Sequence, residues 1–152
     1  MRQYGVPYKG SKNGIAAKVV ANFPKAAHFY DVFAGGCAVT HAAMLLGGYS
    51  HYHANDIDGA GLRLFLAAVG GAYQEERRWI SREDFGRLKD ADPYVRLCWS
   101  FGNNAHNYMY SDEIEPWKRA LHHARVFGDC SVFRRMGIST DGSRADIIAH
   151  KD

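Results

Sequence analysis

The sequence predicts an α/β fold whose first half is a β-α-β-α unit and whose second half is mainly helical. Three observations lead to it. An apolar strand, His28-Phe29-Tyr30-Asp31-Val32-Phe33, runs into the loop Ala34-Gly35-Gly36-Cys37. A second strand closes on Asn55-Asp56-Ile57-Asp58, with Asp56 standing 21 residues beyond Gly35. That distance matches one strand–helix–strand unit, in which glycines let the backbone approach a ligand and the terminal acid accepts hydrogen bonds from ribose hydroxyls. Finally, 152 residues with 47% hydrophobic and 13% aromatic content suit one globular domain with a modest core.

The elements follow in order. Residues 11–23 read as a helix capped near Ser11 or Asn13, with Ile15, Val19 and Phe23 inward at four-residue spacing. After the strand at 28–33, residues 36–46 form the helix behind the glycine loop and stop at Gly47-Gly48. Residues 50–55 are the second strand. Asp58 or Gly59 opens another helix, with Leu62, Phe65, Leu66 and Val69 inward, ending at Gly70-Gly71. Residues 1–71 thus form one part, consistent with a three-layer α/β sheet, and 72–152 a second, helical part.

Residues 74–92 alternate acids and bases and read as a solvated helix and turn. Asp92-Pro93-Tyr94 reads as an Asp-Pro turn closing a short helix. A last helix begins near Glu115, tolerates Pro116 in its first turn, and buries Ile114, Trp117, Leu121 and Phe127. No strand is placed after residue 110.

Charge and cysteine usage narrow the setting. The net charge is +3, with Arg2, Lys9, Lys12, Lys18 and Lys25 in an acid-free stretch and a second cluster at Lys118, Arg119, Arg125, Arg134 and Arg135. Both clusters suit phosphate contacts and suit solvated faces equally. Cys37, Cys98 and Cys130 are odd in number and scattered, which fits free thiols in a reducing cytoplasm. No apolar run approaches the ~20 residues of a bilayer span, and the start has no signal-peptide core. His51 and His53 alternate on a strand, yet no CxxC or HExxH accompanies them, so no metal site is expected.

Taken alone, the loop also fits a tight turn in an ordinary α/β domain, with Asp56 as a helix N-cap. It reads GGCAVT, which departs from the GxGxxG of dinucleotide enzymes. The stretch 97–110 holds Trp99, Phe101, Asn103, Asn104, Asn107, Tyr108 and Tyr110. Its asparagines can read base edges and its aromatics can stack bases; core packing and turn geometry explain them equally.

Three segments taken together go further. Pro7-Tyr8-Lys9-Gly10-Ser11-Lys12, Phe33-Ala34-Gly35-Gly36 and Asn55-Asp56-Ile57 occur in the order PYKGSK, FAGG, NDI, followed by RLCWSFGNNAHNYMY at 96–110. In this order the chain resembles the N-terminal half of the Dam-like adenine-specific DNA methyltransferases, particularly their phage and prophage forms. The resemblance implies a Rossmann-like three-layer methyltransferase core, here with an incomplete sheet, and S-adenosylmethionine as cofactor. It implies that Tyr8 and Lys9 meet the methionine end, that Phe33, Ala34 and Gly35 line the cofactor's backbone, and that Asp56, with Ile57 beside it, takes the ribose. It implies DNA as partner, with Asn103, Asn104, Asn107 and Tyr108 as candidate contacts.

Cys37 stands where that family usually has a further glycine, and Asp31-Val32 replaces a Glu-Pro or similar pair. The family's catalytic tetrapeptide, DPPY-like at the end of a later strand, occurs nowhere. Asp92-Pro93-Tyr94 is no substitute: it lacks the second proline and a preceding apolar strand, and it lies before the SFGNN segment instead of after it. No catalytic residue is therefore assigned. The chain reads as a fragment or natural truncation, inactive without the C-terminal portion of the same enzyme. A complete, non-catalytic nucleic-acid or cofactor-binding module is the alternative; a nucleotide-dependent oxidoreductase is disfavoured by the PYKGSK start.

Overall fold

In the computed structural model, which describes residues 3–139, the glycine loop joins a short strand to a helix as the spacing predicts. Strands β1 (His28–Asp31) and β2 (His51–Ala54) pair in parallel, His28 opposite His51 and Asp31 opposite Ala54. Both are shorter than expected. Asn55 N–H donates to the Asp31 carbonyl at 2.8 Å and Ala34 N–H to the Asn55 carbonyl at 2.9 Å, after which the chain turns into the loop. Parallel neighbours need a crossover, and helix α2 (Ala38–Leu46) provides it.

Small residues decide how the helices sit. Helix α2 turns Ala38, Ala42 and Ala43 inward, against Phe29 of β1 and against Ala16 and Val20 of α1 (Ala16–Ala21). Helix α1 is half the length predicted and has no side-chain cap; the Asn13 carboxamide instead accepts from Tyr4 N–H at 2.7 Å. Its inward residues are not those predicted, since Ile15 and Phe23 are about half exposed. An alanine-on-alanine contact allows closer approach than a larger stripe would.

Helix α3 (Ala60–Val69) shows the same correction. Ala60, Gly61, Leu64 and Phe65 are buried, whereas the predicted Leu66 and Val69 are both 61% exposed. Gly61 and the predicted Phe65 meet the glycine loop, while Leu66 and Val69 turn outward.

The chain forms two compact units: one is Met1–Glu76 with Ile80–Met109, the other Arg77–Trp79 with Tyr110–Asp152. Within the first unit, Leu97 packs on Ala60, Leu64 and Ala105. It belongs to α5 (Pro93–Cys98), which follows α4 (Arg82–Leu88). The Ser81 hydroxyl caps α4 by accepting from Asp84 N–H at 3.1 Å. Asp92 caps α5, accepting from Tyr94 N–H at 2.9 Å and Val95 N–H at 3.3 Å, so the Asp-Pro pair opens a helix where it was expected to close one. The charged stretch 74–92 is not wholly solvated, because Ile80 and Phe85 are buried.

The second unit holds α6 (Glu115–Phe127), with Pro116 in its first turn and Gly128 closing it in the left-handed region, and α7 (Ser131–Arg135). Among the described residues, Ala120 and Phe133 are its buried apolar ones; Ile114, Trp117 and Phe127, predicted inward, are roughly half exposed. Residues 140–152 of the expected helical part, and Arg2 of the first basic cluster, lie outside the described residues. Among the described residues no helix is long and apolar enough to cross a membrane.

Candidate functional site

A cavity of about 280 Å³ opens at the carboxyl ends of β1 and β2, within the first unit. That is where ligands sit in α/β sheets, outside the ends of the parallel strands. Three separate stretches of chain build it. Tyr8 and Lys9 come from the N-terminal segment, Phe33, Ala34 and Gly35 from the glycine loop, and Asp56 from the turn after β2.

Asp56 holds the stretches together. One carboxylate oxygen accepts from Gly35 N–H at 2.8 Å and the other from Asp58 N–H at 3.1 Å. The N-terminal segment is laid over the loop by a bond from Val6 N–H to the Gly36 carbonyl at 2.8 Å. The approach is close enough that a Cβ on Gly36 would meet Tyr8 Cβ at 2.6 Å. Gly36 is therefore required as glycine for proximity, a stronger reason than conformational freedom.

Cys37 is the unusual residue of the loop. It adopts φ 58° in the left-handed region, where an L side chain is strained, and it is fully buried against Ala34 and Phe65. Burial first, then the Asp31 and Asp56 carboxylates, push its thiol up to about 12. At pH 8 the thiolate fraction is then roughly a thousandfold below that of a free cysteine. Iodoacetamide is expected to spare Cys37 in the folded protein and to label it on unfolding, as peptide mass mapping would show; rapid labelling of native protein would contradict the burial.

Electrostatically the cavity is mixed. Lys9 and Lys12 line it together with Asp31 and Asp56. The Thr40 hydroxyl donates to Asp31 at 2.7 Å and orients that carboxylate. Tyr8 has its acidity lowered, its pKa raised by burial and then by the Asp56 and Asp58 carboxylates, with Arg96 opposing. It stays a neutral phenol at physiological pH and retains a hydroxyl donor.

Of the seven cofactor residues predicted, six line the cavity and Ile57 does not; its side chain is fully exposed just beyond Asp56. Gly10, Ser11, Lys12, Asp31, Gly36, Ala38 and Val39 line it as well. Ser11 and Lys12 were already visible as the end of PYKGSK, whereas Asp31 read only as a residue inside the strand 28–33.

The stretch 97–110 spends most of its polar groups on itself. The Asn103 amide donates to the Leu97 carbonyl at 2.9 Å, and the Asn104 carboxamide oxygen accepts from His106 N–H at 2.9 Å and Asn107 N–H at 3.0 Å. Tyr108 is buried, its hydroxyl donating to the Ile80 carbonyl at 2.7 Å, so its ring presents no stacking surface in this conformation. Asn107 and Phe101 are exposed. The loop also reaches the cavity: Lys9 N–H donates to the Asn103 carbonyl at 3.3 Å.

A family model for the D12 class of N6 adenine-specific DNA methyltransferases matches residues 8–125. The chain belongs to that family. The match takes in all three cavity-building stretches, the 96–110 segment and most of α6. Membership in the D12 class points to adenine in DNA as the methylated group. No curated protein and no solved structure matches the chain.

Proposed function

We propose that the cavity binds S-adenosylmethionine and that the chain forms the cofactor-holding part of an enzyme methylating the exocyclic amine of adenine in DNA. The observation that carries this is the Gly35–Asp56 bond at 2.8 Å, which joins the FAGG loop to the NDI acid beneath the PYKGSK segment. The donor set fits the group. A ligand bearing both an ammonium and a carboxylate suits a wall of two lysines and two aspartates, and a glycine loop suits close backbone approach.

In this reading Lys9 and Lys12 face the carboxylate, Asp31 the ammonium, and Asp56 the ribose hydroxyls. Phe33, exposed after β1 and lining the cavity, offers an apolar face to the adenine ring. When bound, the cofactor supplies a methyl group on an electrophilic sulfonium. The parallel pair with α1 and α2 on one face fits part of a Rossmann-like three-layer core. Exposed Asn107 and Phe101 are the candidates for DNA contact on the 97–110 loop, and the thiols fit a cytoplasmic setting.

Binding without turnover is the expected behaviour of this chain. It has no DPPY-like tetrapeptide, and the Asp92 carboxylate that comes nearest in sequence is committed to two backbone N–H groups. Without acceptors for the amine's hydrogens and a wall for the extruded base, the nucleophile has no seat. Calorimetry is expected to detect S-adenosylhomocysteine binding, and labelled methyl transfer to adenine-containing DNA to stay at background until a C-terminal portion with such a motif is supplied. Transfer by this chain that vanished in Asp92→Ala would overturn the inactivity. An absence of binding would overturn the cofactor assignment.

A further inference from the structure

The face of the sheet opposite α1 and α2 carries His28, Tyr30, His51 and His53, and all four are exposed. Alternation along β1 and β2 puts them there, and the parallel register sets His28 beside His51 and Tyr30 beside His53. Their rings form one ordered row. Tyr30 stacks on His53 at 4.4 Å, and His28 on His51 at 4.7 Å. His28 Nδ1 and His53 Nε2 approach to 3.1 Å, while their ring centroids are 5.4 Å apart. A centroid separation that large for so short a nitrogen contact means that the two rings meet edge to edge, each presenting a nitrogen to the other.

We propose that His28 and His53 form a chelating site for a divalent transition-metal ion such as Ni²⁺, Zn²⁺ or Cu²⁺. With metal–nitrogen bonds of about 2.05 Å, nitrogens 3.1 Å apart subtend ~100° at the ion, between octahedral and tetrahedral values. The terminal torsion of histidine is broad, so a modest rotation of each ring turns the two nitrogens from each other toward one outward point. Tyr30 and His51, stacked on the pair, limit how far the rings wander. Among the described residues no three His, Cys, Asp or Glu side chains converge on one ion, so the site is an open one with water in its remaining positions. Imidazole suits these borderline ions and not Mg²⁺ or Ca²⁺. Because the ligands come from different strands, the ion clips β1 to β2.

The test is titration of the whole chain with NiCl₂ in a calorimeter, together with the electron paramagnetic resonance spectrum of the Cu²⁺-loaded wild type. The expected spectrum shows coupling to two imidazole nitrogens, and the expected Ni²⁺ affinity falls at least about tenfold in His28→Gln and in His53→Gln. The double substitution His122→Gln/His123→Gln, on the other adjacent histidine pair, should leave it unchanged. Ni²⁺ should raise the melting midpoint of the wild type and not of His28→Gln. Absence of saturable binding at millimolar NiCl₂, or equal affinity in His53→Gln and wild type, would overturn the site and leave the 3.1 Å contact as a hydrogen bond between histidines. The spectrum needs no variant, so a misfolded substitution would not spare the proposal.

Discussion

Asp56→Ala is expected to weaken S-adenosylhomocysteine binding by about one to two decades. In the free protein this carboxylate accepts from Gly35 N–H at 2.8 Å and from Asp58 N–H at 3.1 Å. Hydrogen bonds to charged groups contribute roughly 1.5–3 kcal/mol each, and about 1.4 kcal/mol is a decade in affinity. Alanine removes the proposed acceptor for the ribose and also the tie between the glycine loop and the turn after β2. Asp56→Asn separates the two effects. Its amide oxygen can still accept from Gly35 without a charge, so it should fall between alanine and wild type. Equal affinity in all three proteins, measured by calorimetry, would remove Asp56 from the site.

Gly61→Ala should destabilise the protein and impair binding, although alanine is the better helix former. In an exposed helix the exchange is worth roughly 0.5–1 kcal/mol in favour of alanine. Here the new Cβ would land on the Gly35 carbonyl oxygen, at a separation no real contact allows. Either α3 or the loop must shift, and overpacking of this kind costs typically about 1–3 kcal/mol. The melting midpoint should drop by several degrees, and cofactor-product affinity should fall because the displaced atoms belong to the cavity wall. Gly86→Ala in α4 is the matched control, since nothing lies within 4 Å of its Cβ; it should be neutral or stabilising. If Gly61→Ala behaved like Gly86→Ala, the close approach of α3 to the loop would be refuted.

How legible was this in the sequence? The strand, loop, helix and acid between His28 and Asp56 were, because glycine and carboxylate at a fixed spacing reflect local backbone demands. Which side of a helix turns inward was not. Hydrophobic periodicity selected Ile15 and Phe23 in α1, and Phe65, Leu66 and Val69 in α3; of these only Phe65 is buried, and the buried faces are otherwise Ala16 and Val20, and Ala60, Gly61 and Leu64. Small residues weigh little on a hydropathy count, yet they mark where backbones come closest. The same bias put Ile114, Trp117 and Phe127 inside α6, which buries Ala120. Asp31 escaped notice as a cavity residue because its neighbours read simply as strand, and only the pairing with Ala54 shows that it stands at the mouth. The asparagines of 97–110 were ambiguous for a different reason. An Asn that caps its own turn and one that reads a base have the same one-letter code; their partners distinguish them.

The bond from Lys9 N–H to the Asn103 carbonyl joins the cavity wall to the loop at 97–110, and thermodynamic linkage gives that small contact a consequence. Any free energy that one occupant gains or loses by shifting this bond must be returned, equal in size, in the affinity for the other. If the cavity holds the cofactor and the loop meets DNA, as proposed above, a cofactor that draws Lys9 inward would set the readiness of the loop, and a nucleic acid that displaces the loop would alter how tightly the cofactor is held, without the two molecules touching.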